Sequence, residues 1–160
     1  MRRKVLLVVL LVLLLVAVGL LIAASQFSLS ALNDPGRVET YVATKAKRWL
    51  VGRSARGSLP PAPPNDALSR ASGQMVFGAE CATCHGQDGR TPTDVGQWMY
   101  PRTLDLSSPG VQQWSDAELF WIIKNGIRLS GMPGFGRIHS DNEIWYLVHF
   151  VRTLGASAKK

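Results

Sequence analysis

The sequence predicts an all-α protein, in which a helical domain follows a single N-terminal apolar helix and a linker that contains an amphipathic helix. Two capping boxes mark helix starts in the second half of the chain, and an apolar run of helical length stands near its beginning. No run with the period-two alternation of a strand has useful length, and no internal repeat occurs. A chain of 160 residues has room for one modest domain with extensions.

Positive charge is concentrated in the first part of the chain. Residues 1–64 contain nine Lys/Arg and two Asp/Glu, a net charge of +7, whereas residues 65–160 contain nine of each and are neutral. A strongly basic chain often has a nucleic-acid partner. Here the basic residues flank an apolar segment, so we predict no nucleic-acid binding.

The N-terminal helix is predicted from residues 5–24, which hold no charged or strongly polar side chain. A helix of this length spans roughly 30 Å, the thickness of the hydrocarbon core of a bilayer. Ala23-Ala24-Ser25 could also serve as the cleavage site of a secretory signal, but the apolar region of a signal has only about 7–15 residues. We therefore predict a transmembrane anchor over residues 1–25, in contact with membrane lipid. Three preceding basic residues favour a cytoplasmic amino terminus: Arg2, Arg3 and Lys4.

Residues 26–65 are predicted to form a basic amphipathic helix and a proline-rich linker. Asp34 would cap the helix with Pro35 in its first position, and the helix would end near Gly52. Its apolar residues recur every three or four positions: Val38, Tyr41, Val42, Ala46, Trp49 and Leu50. This face could lie on anionic lipid headgroups, bind a protein partner or pack on the chain's own domain. Four of the nine prolines lie between residues 60 and 64, which favours an extended spacer.

The domain itself is predicted over residues 66–160. Asn65 would cap a first helix that continues through Phe77. Two capping boxes open the later helices: Ser115 to Glu118 before 116–125, and Ser140 to Glu143 before 141–154. Two long loops connect these elements: 86–114 and 127–139.

Residues 81–85 read Cys-Ala-Thr-Cys-His, which is the attachment signature of a c-type haem. Cys81 and Cys84 would each form a thioether with a haem vinyl group, and His85 would bind the iron from one face. A redox dithiol would instead need a low-pKa thiol within a βαβ pattern, and no such pattern surrounds this segment. A structural zinc site would need a second Cys or His pair at ligand spacing, but the chain has only these two cysteines. We therefore predict one covalently bound haem c.

The second face of the iron needs a ligand from elsewhere in the chain. Besides the initiator, the chain has three methionines: Met75, Met99 and Met132. Met75 lies in the helix just before the motif, on the wrong side and too close, whereas Met99 is possible. Met132 is favoured, because glycines on both sides let its loop approach a flat macrocycle and Pro133 stiffens that loop. Its thioether is a soft ligand that suits iron and raises the reduction potential. Two histidines are rival ligands: His139, expected to be solvated, and His149, within the last helix.

Residues 66–154 resemble the class I cytochrome c family over the full domain. The resemblance rests on a first helix leading into Cys-Ala-Thr-Cys-His-Gly, a methionine loop and a closing helix, and the stretch 121–135 is similar to bacterial members. In that family the first and last helices cross where a glycine meets an aromatic residue. Four residues match the positions of this crossing: Gly73, Phe77, Leu147 and Phe150. Residues 1–64 lie outside the resemblance.

The resemblance also implies further contacts of the haem. Family members often hold the Nδ1–H of the haem histidine with a proline carbonyl, and both Pro92 and Pro101 lie in the loop after it. Arg102 offers a guanidinium to a haem propionate, or is a solvated surface residue. Three tryptophans could line the haem crevice or pack in the core: Trp98, Trp114 and Trp121.

These predicted residues indicate that the chain is an electron-transfer protein rather than an enzyme. Iron bound by both His85 and Met132 has no open position, and no other constellation in the domain suggests catalysis, so we predict no catalytic residue and no small-molecule substrate. Haem attachment outside the bacterial inner membrane, which the resemblance implies, predicts a periplasmic domain with redox protein partners at the membrane. The protein would be free-standing or the cytochrome subunit of a respiratory or dehydrogenase complex. The alternative is a haem enzyme, or a gas or redox sensor, in which the bond to Met132 is labile.

Overall fold

The computed structural model describes residues 2–25, 28, 30–57 and 59–157, and the chain divides into two compact units, Met1–Asn33 and Asp34–Lys160. The first unit contains helix α1, Arg2–Ser25, whose side chains are exposed along its whole described length. With a mean hydropathy of 3.6, α1 is long and apolar enough to cross a membrane by length and composition.

The second unit is helical throughout its regular elements. It contains α2 Arg37–Ser54, α3 Ala67–Val76, a π-helical turn Phe77–Cys81, α4 Ala82–His85, α5 Asp94–Trp98, α6 Pro109–Gln112, α7 Asp116–Asn125 and α8 Asp141–Ser157. No strand occurs among the residues that the structure describes, so the all-α prediction is confirmed. The two short helices α5 and α6 lie in the stretch that the sequence predicts as one long loop.

The core of the second unit is centred on the crossing of α3 and α8. Gly73 permits the close approach, because a Cβ atom at this position would lie 2.0 Å from the carbonyl oxygen of Tyr146. Beside the crossing, the rings of Phe77 and Phe150 pack with their centroids 5.0 Å apart. Leu147 is 1% exposed. The predicted crossing residues therefore meet in the fold, which supports the helical arrangement inferred from them.

Capping interactions start the later helices at the predicted residues. The Ser115 hydroxyl accepts from the Glu118 amide, and the Glu118 carboxylate accepts from the Ser115 amide. The same reciprocal pair of hydrogen bonds joins Ser140 and Glu143 at the start of α8. Helix α8 ends at Ser157, three residues beyond its predicted end at residue 154. These helix starts could be predicted because both partners of a capping box lie within four residues.

Two predicted caps are replaced by their neighbours. Asp66, not Asn65, caps α3 by accepting from the Ser69 amide at 2.8 Å, whereas the Asn65 side chain accepts from Arg70 Nε. Helix α2 begins at Arg37 rather than Pro35, and Gly36 stands at its cap without a side-chain hydrogen bond. Asn and Asp have similar capping preference, so local sequence alone does not choose between adjacent candidates.

Helix α2 and the linker after it belong to the same compact unit as the haem motif. Val51 of α2 is 2% exposed within the core cluster. The linker residue Leu59 packs against that cluster, and the indole Nε1 of Trp145 donates to the carbonyl of Pro60 at 3.2 Å. The start of the proline-rich linker therefore lies against the domain, and the predicted domain boundary near residue 65 stays a prediction.

Candidate haem-binding site

The two cysteines lie where the helical chain changes its winding. Cys81 ends the π-helical turn and Cys84 lies in α4, one residue before His85. Both are free thiols and partly buried. Burial raises the pKa of Cys81 to about 12, with further contributions from the charge of Glu80 and from Cys84. The Cys81 thiol therefore lacks the lowered pKa that activates the nucleophile of a redox dithiol.

The His85 ring is oriented by a backbone carbonyl. Its Nδ1 lies 3.1 Å from the carbonyl oxygen of Leu104, a contact in which Nδ1–H donates and Nε2 keeps its lone pair. Burial lowers the pKa of His85, which favours the neutral ring that can bind a metal. The hydrogen bond that orients a ligand histidine is thus present.

The carbonyl that holds His85 belongs to neither predicted proline. Pro92 accepts instead from the side-chain amide of Gln97 at 3.2 Å. The segment with Leu104 is held by the amide of Thr103, which donates to Gly96 at 2.9 Å, and by the amide of Leu106, which donates to Gly89 at 2.9 Å. A backbone carbonyl has no residue-type signature, so no signal in the sequence could have indicated Leu104.

The turn after His85 folds the following loop back onto α4. Gly86 adopts a φ of +77°, and a Cβ there would lie 2.1 Å from the carbonyl oxygen of Thr91. Thr93 then binds α4 twice: its amide donates to Cys84 at 3.1 Å and its hydroxyl donates to the Thr83 carbonyl at 2.6 Å. These hydrogen bonds hold the loop against the backbone around the cysteines.

The loop with Met132 returns to the last turn of α7. The amide of Ile127 donates to the Met132 carbonyl at 3.2 Å, and the amide of Phe135 donates to Ile123 at 3.0 Å. Gly126, with a φ of +71°, lies so close that a Cβ would be 2.6 Å from the carbonyl carbon of Pro133. Met132 is partly buried against the core, while Pro133 is exposed. The Met132 backbone is therefore bonded to the turn just after α7, and the loop that follows it is bonded to α7 itself.

Met99 lies against the same loop. Its sulfur is 2.4 Å from the position that a Cβ of Gly131 would occupy, and 4.0 Å from the Thr103 hydroxyl. The fold thus places Met99 beside Gly131, the residue before Met132. The two methionines are 33 positions apart in the chain, so the sequence does not indicate that they are close. Ligation by Met132 stays a prediction, with Met99 as its nearby rival.

The rival histidines have other neighbours. His149 is 5% exposed, and its Nδ1 lies 3.1 Å from the Ser69 hydroxyl. The His139 side chain is 13% exposed rather than solvated, with its Nε2 3.9 Å from a carboxylate oxygen of Glu80 and its Nδ1 3.7 Å from one of Glu143. Among the described residues, no group of three or more Cys, His, Asp or Glu could hold a metal ion.

Arg102 and the tryptophans lie in varied surroundings. The Arg102 guanidinium pairs with Asp34 at 2.8 Å, and both side chains are mostly exposed. The contact of Arg102 with a haem propionate stays a prediction, and that contact would compete with this ion pair for the guanidinium. Trp114 is buried in the core and Trp121 packs against it, whereas Trp98 is 74% exposed at the end of α5.

The helical fold and the attachment segment together define a class I c-type cytochrome domain, a class whose members carry covalently bound haem c. Residues 69–151 match the sequence model of the family described as cytochrome c oxidase, cbb3-type, subunit III, and the chain belongs to this family.

One relative and one solved structure illustrate the similarity. Over 105 residues the chain is 31% identical to the cbb3-type cytochrome c oxidase subunit FixP of Azorhizobium caulinodans. The match covers 61% of this chain and 31% of that relative, so the chain spans about a third of its length. A chain of the Kuenenia stuttgartiensis reducing HAO-like protein complex has a similar fold, with a TM-score of 0.54 and 21% identity over 61% of this chain and 49% of that chain.

Proposed function

We propose that this protein is a membrane-anchored monohaem c-type cytochrome that transfers single electrons between redox partners at the periplasmic face of the bacterial inner membrane. It would act as a free carrier or as the cytochrome subunit of a respiratory or dehydrogenase complex. The observation that carries the proposal is the hydrogen bond between His85 Nδ1 and the Leu104 carbonyl, 3.1 Å long, immediately after the two cysteines. It leaves Nε2 as the free ligand atom of a neutral ring.

The residues present fit a haem. Cys81 and Cys84 are unpaired thiols at the spacing of the two vinyl groups. Large apolar side chains are exposed at the end of α5 and in the loops after α5 and α7, with Trp98 at 74%, Leu104 at 50% and Leu129 at 90%. Removing apolar surface from water lowers the free energy by about 25 cal/mol per Å². Binding of a large apolar macrocycle against these side chains would therefore be favourable.

When bound, the haem supplies reversible one-electron chemistry at iron. The chain's part is to hold that group without rearrangement: His85 is oriented by Leu104, and the Met132 carbonyl accepts from the amide of Ile127, just after α7. If the Met132 thioether held the iron together with His85, it would raise the reduction potential, and the iron would keep no position for a substrate. These residues therefore support electron transfer rather than catalysis.

The membrane location is supported by α1 and by the charges at its start. Arg2, Arg3 and Lys4 are the first residues of this helix of bilayer length, which favours a cytoplasmic amino terminus and a periplasmic second unit. A tether of this kind keeps the domain at about millimolar effective concentration near partners in the same membrane. The relative in Azorhizobium caulinodans is by its name an oxidase subunit, which supports redox complexes as partners.

Haem attachment is tested first. The full chain, expressed in cells that mature c-type cytochromes, should give a band with in-gel peroxidase activity after denaturing electrophoresis. The double variant Cys81→Ala/Cys84→Ala should lose the stain at unchanged protein amount, because no thioether can form. A colourless wild-type band would contradict the proposal.

The axial ligand is tested by visible spectroscopy and potentiometry. Met132→Ala should remove the weak far-red band of methionine-ligated ferric haem and lower the midpoint potential markedly, whereas Met99→Ala should keep the band. Met75→Ala is the control, because Met75 is 71% exposed on α3. If Met99→Ala removes the band and Met132→Ala keeps it, the ligand assignment is wrong. A high-spin ferric spectrum of the wild type would favour the haem enzyme or sensor instead.

A further inference from the structure

Helix α2 packs on its unit with one face and leaves its apolar face uncovered. Val51 and Ala55 are the buried residues on the packed side, at 2% and 8% exposure. The apolar residues on other sides are exposed: Val38 at 78%, Tyr41 at 64%, Val42 at 57%, Trp49 at 63% and Leu50 at 54%. At about 100° per residue, Val51 is rotated by roughly 200° from Trp49. We call the surface formed by Val38, Tyr41, Val42, Lys45, Trp49, Leu50 and Arg53 the α2 outer face.

Cations lie on the rings of the α2 outer face. Lys45 Nζ is 5.6 Å from the centroid of the Tyr41 ring, and Arg53 Cζ is 5.6 Å from that of Trp49. Residues 37–56 contain six Lys/Arg and one acid, Glu39. Glu39 accepts a hydrogen bond from the Tyr100 hydroxyl and so is engaged by the domain. The outer face therefore combines apolar surface, an indole and uncompensated positive charge.

The place of α2 in the chain limits what can cover this face. Helix α1 ends at Ser25 and α2 begins at Arg37. The eleven intervening residues span at most about 40 Å when fully extended. If α1 crosses a membrane, this connection limits the start of α2 to about 40 Å or less from the surface of that membrane. Basic residues beside exposed aromatic and aliphatic side chains are the composition of a helix that lies in a lipid interface.

We propose that the α2 outer face binds the anionic lipid surface of the membrane that α1 enters. The inference rests on the membrane anchoring proposed above. Lys45 and Arg53 contact anionic headgroups, while Trp49 and Val42 lie at the boundary between headgroups and acyl chains.

Lipid contact of this helix would orient the whole haem domain, because α2 is bound firmly to it. Arg48 Nη2 donates to the Gly110 carbonyl at 3.2 Å, and its guanidinium lies 4.6 Å from the centroid of the Trp114 ring. Val51 is inserted in the core beside these contacts. The domain then presents a constant side to partners in the same membrane, instead of tumbling on a flexible tether.

The test measures retention on vesicles after the anchor is cut. The full haem-loaded chain carries a protease site inserted between Ala31 and Leu32, and it is reconstituted in vesicles of phosphatidylcholine, with or without phosphatidylglycerol. After cleavage the vesicles are floated, and haem absorbance in the floated fraction is measured. We expect the cleaved domain to stay on the anionic vesicles, to leave the zwitterionic ones, and to be released from the former by high salt.

Charge reversal on the outer face supplies the matched comparison. The variant Lys45→Glu/Arg53→Glu should weaken partition to anionic vesicles by about 25-fold or more, since each basic residue at such a surface contributes roughly fivefold. Both side chains are exposed, so the haem spectrum should be unchanged. The control Arg128→Glu/Arg137→Glu changes the net charge equally at exposed positions outside α2 and should be retained nearly as well as the wild type.

The outcomes separate the inference from the anchoring. Equal release from both vesicle types, or full retention of the α2 variant, overturns lipid binding by α2 while leaving the anchor intact. Retention that depends on protein density and not on lipid charge also overturns it, and assigns the face to a second copy of the chain. An uncleaved chain that fails to float overturns the anchoring itself.

Discussion

The crossing of α3 and α8 depends on the absence of one side chain, at Gly73. In Gly73→Ala the new Cβ would lie 2.0 Å from the Tyr146 carbonyl oxygen, 2.5 Å from its carbonyl carbon and 3.1 Å from the Leu147 amide nitrogen. All three atoms are backbone of a helix, so no side-chain rotation can relieve the overlap. A carbon and a carbonyl oxygen rest at about 3.3 Å, so the helices must separate by about 1.3 Å.

That separation affects the whole interface. An added gap of about 0.5–1 Å already forfeits a quarter to a half of the dispersion energy between facing atoms. The residues concerned include Phe77, Leu147 and Val148, none of which is more than 2% exposed. Overpacking usually costs about 1–3 kcal/mol, and a clash between two backbones lies at or above the upper end. We expect Gly73→Ala to lower the free energy of unfolding by about 3 kcal/mol or more.

The measurement is urea and thermal unfolding of the haem-loaded chain in detergent, followed by circular dichroism. For a domain of this size, 3 kcal/mol corresponds to a decrease in Tm of about 12 °C or more. Gly78→Ala is the matched control, because Gly78 is exposed in the π-helical turn and a Cβ added there would have no heavy atom within 4 Å. It should be neutral or slightly stabilising. A Tm of Gly73→Ala within about 2 °C of the control would refute the reasoning.

Three further predictions concern contacts around α8. Burial lowers the pKa of His149, so its ring takes up a proton more readily in the unfolded chain than in the folded one. The free energy of unfolding should therefore fall as the pH drops below about 6.5. His149→Gln should flatten this pH dependence, measured by urea titrations at a series of pH values. The Arg152 guanidinium donates to the Asp116 carboxylate at 2.6 Å and to two backbone carbonyls. Arg152→Lys lacks the planar guanidinium and should lower the free energy of unfolding by about 1–3 kcal/mol in the same assay. A loss below about 0.3 kcal/mol would argue against these contacts. Trp145→Phe removes the donor to Pro60 and should speed proteolysis of the proline-rich segment, and an unchanged cleavage rate would mean that the linker is not held there.

Much of the fold could be predicted because its signals are local. The capping boxes at Ser115 and Ser140 place both partners within one helical turn, and the structure has both. The apolar run of α1 likewise carries its information in composition and length. The crossing residues Gly73 and Phe77 are indicated instead by the resemblance to the class I cytochrome c family, and they meet α8 in the fold. The predicted caps Asp34 and Asn65 are wrong by two residues and one residue. Asn65 and Asp66 compete for the same cap, whereas the Asp34 carboxylate pairs with Arg102, far away in the chain.

The sequence by itself determined the haem motif, the helical class and the apolar N-terminal helix, because each depends on residues next to one another in the chain. Only the tertiary structure decided that Leu104 holds His85, that Met99 lies against Gly131, and that α2 packs through Val51. The first contact uses a backbone carbonyl that every residue possesses. The others join segments far apart in the chain, and their choice depends on which of several apolar surfaces the whole domain buries most favourably.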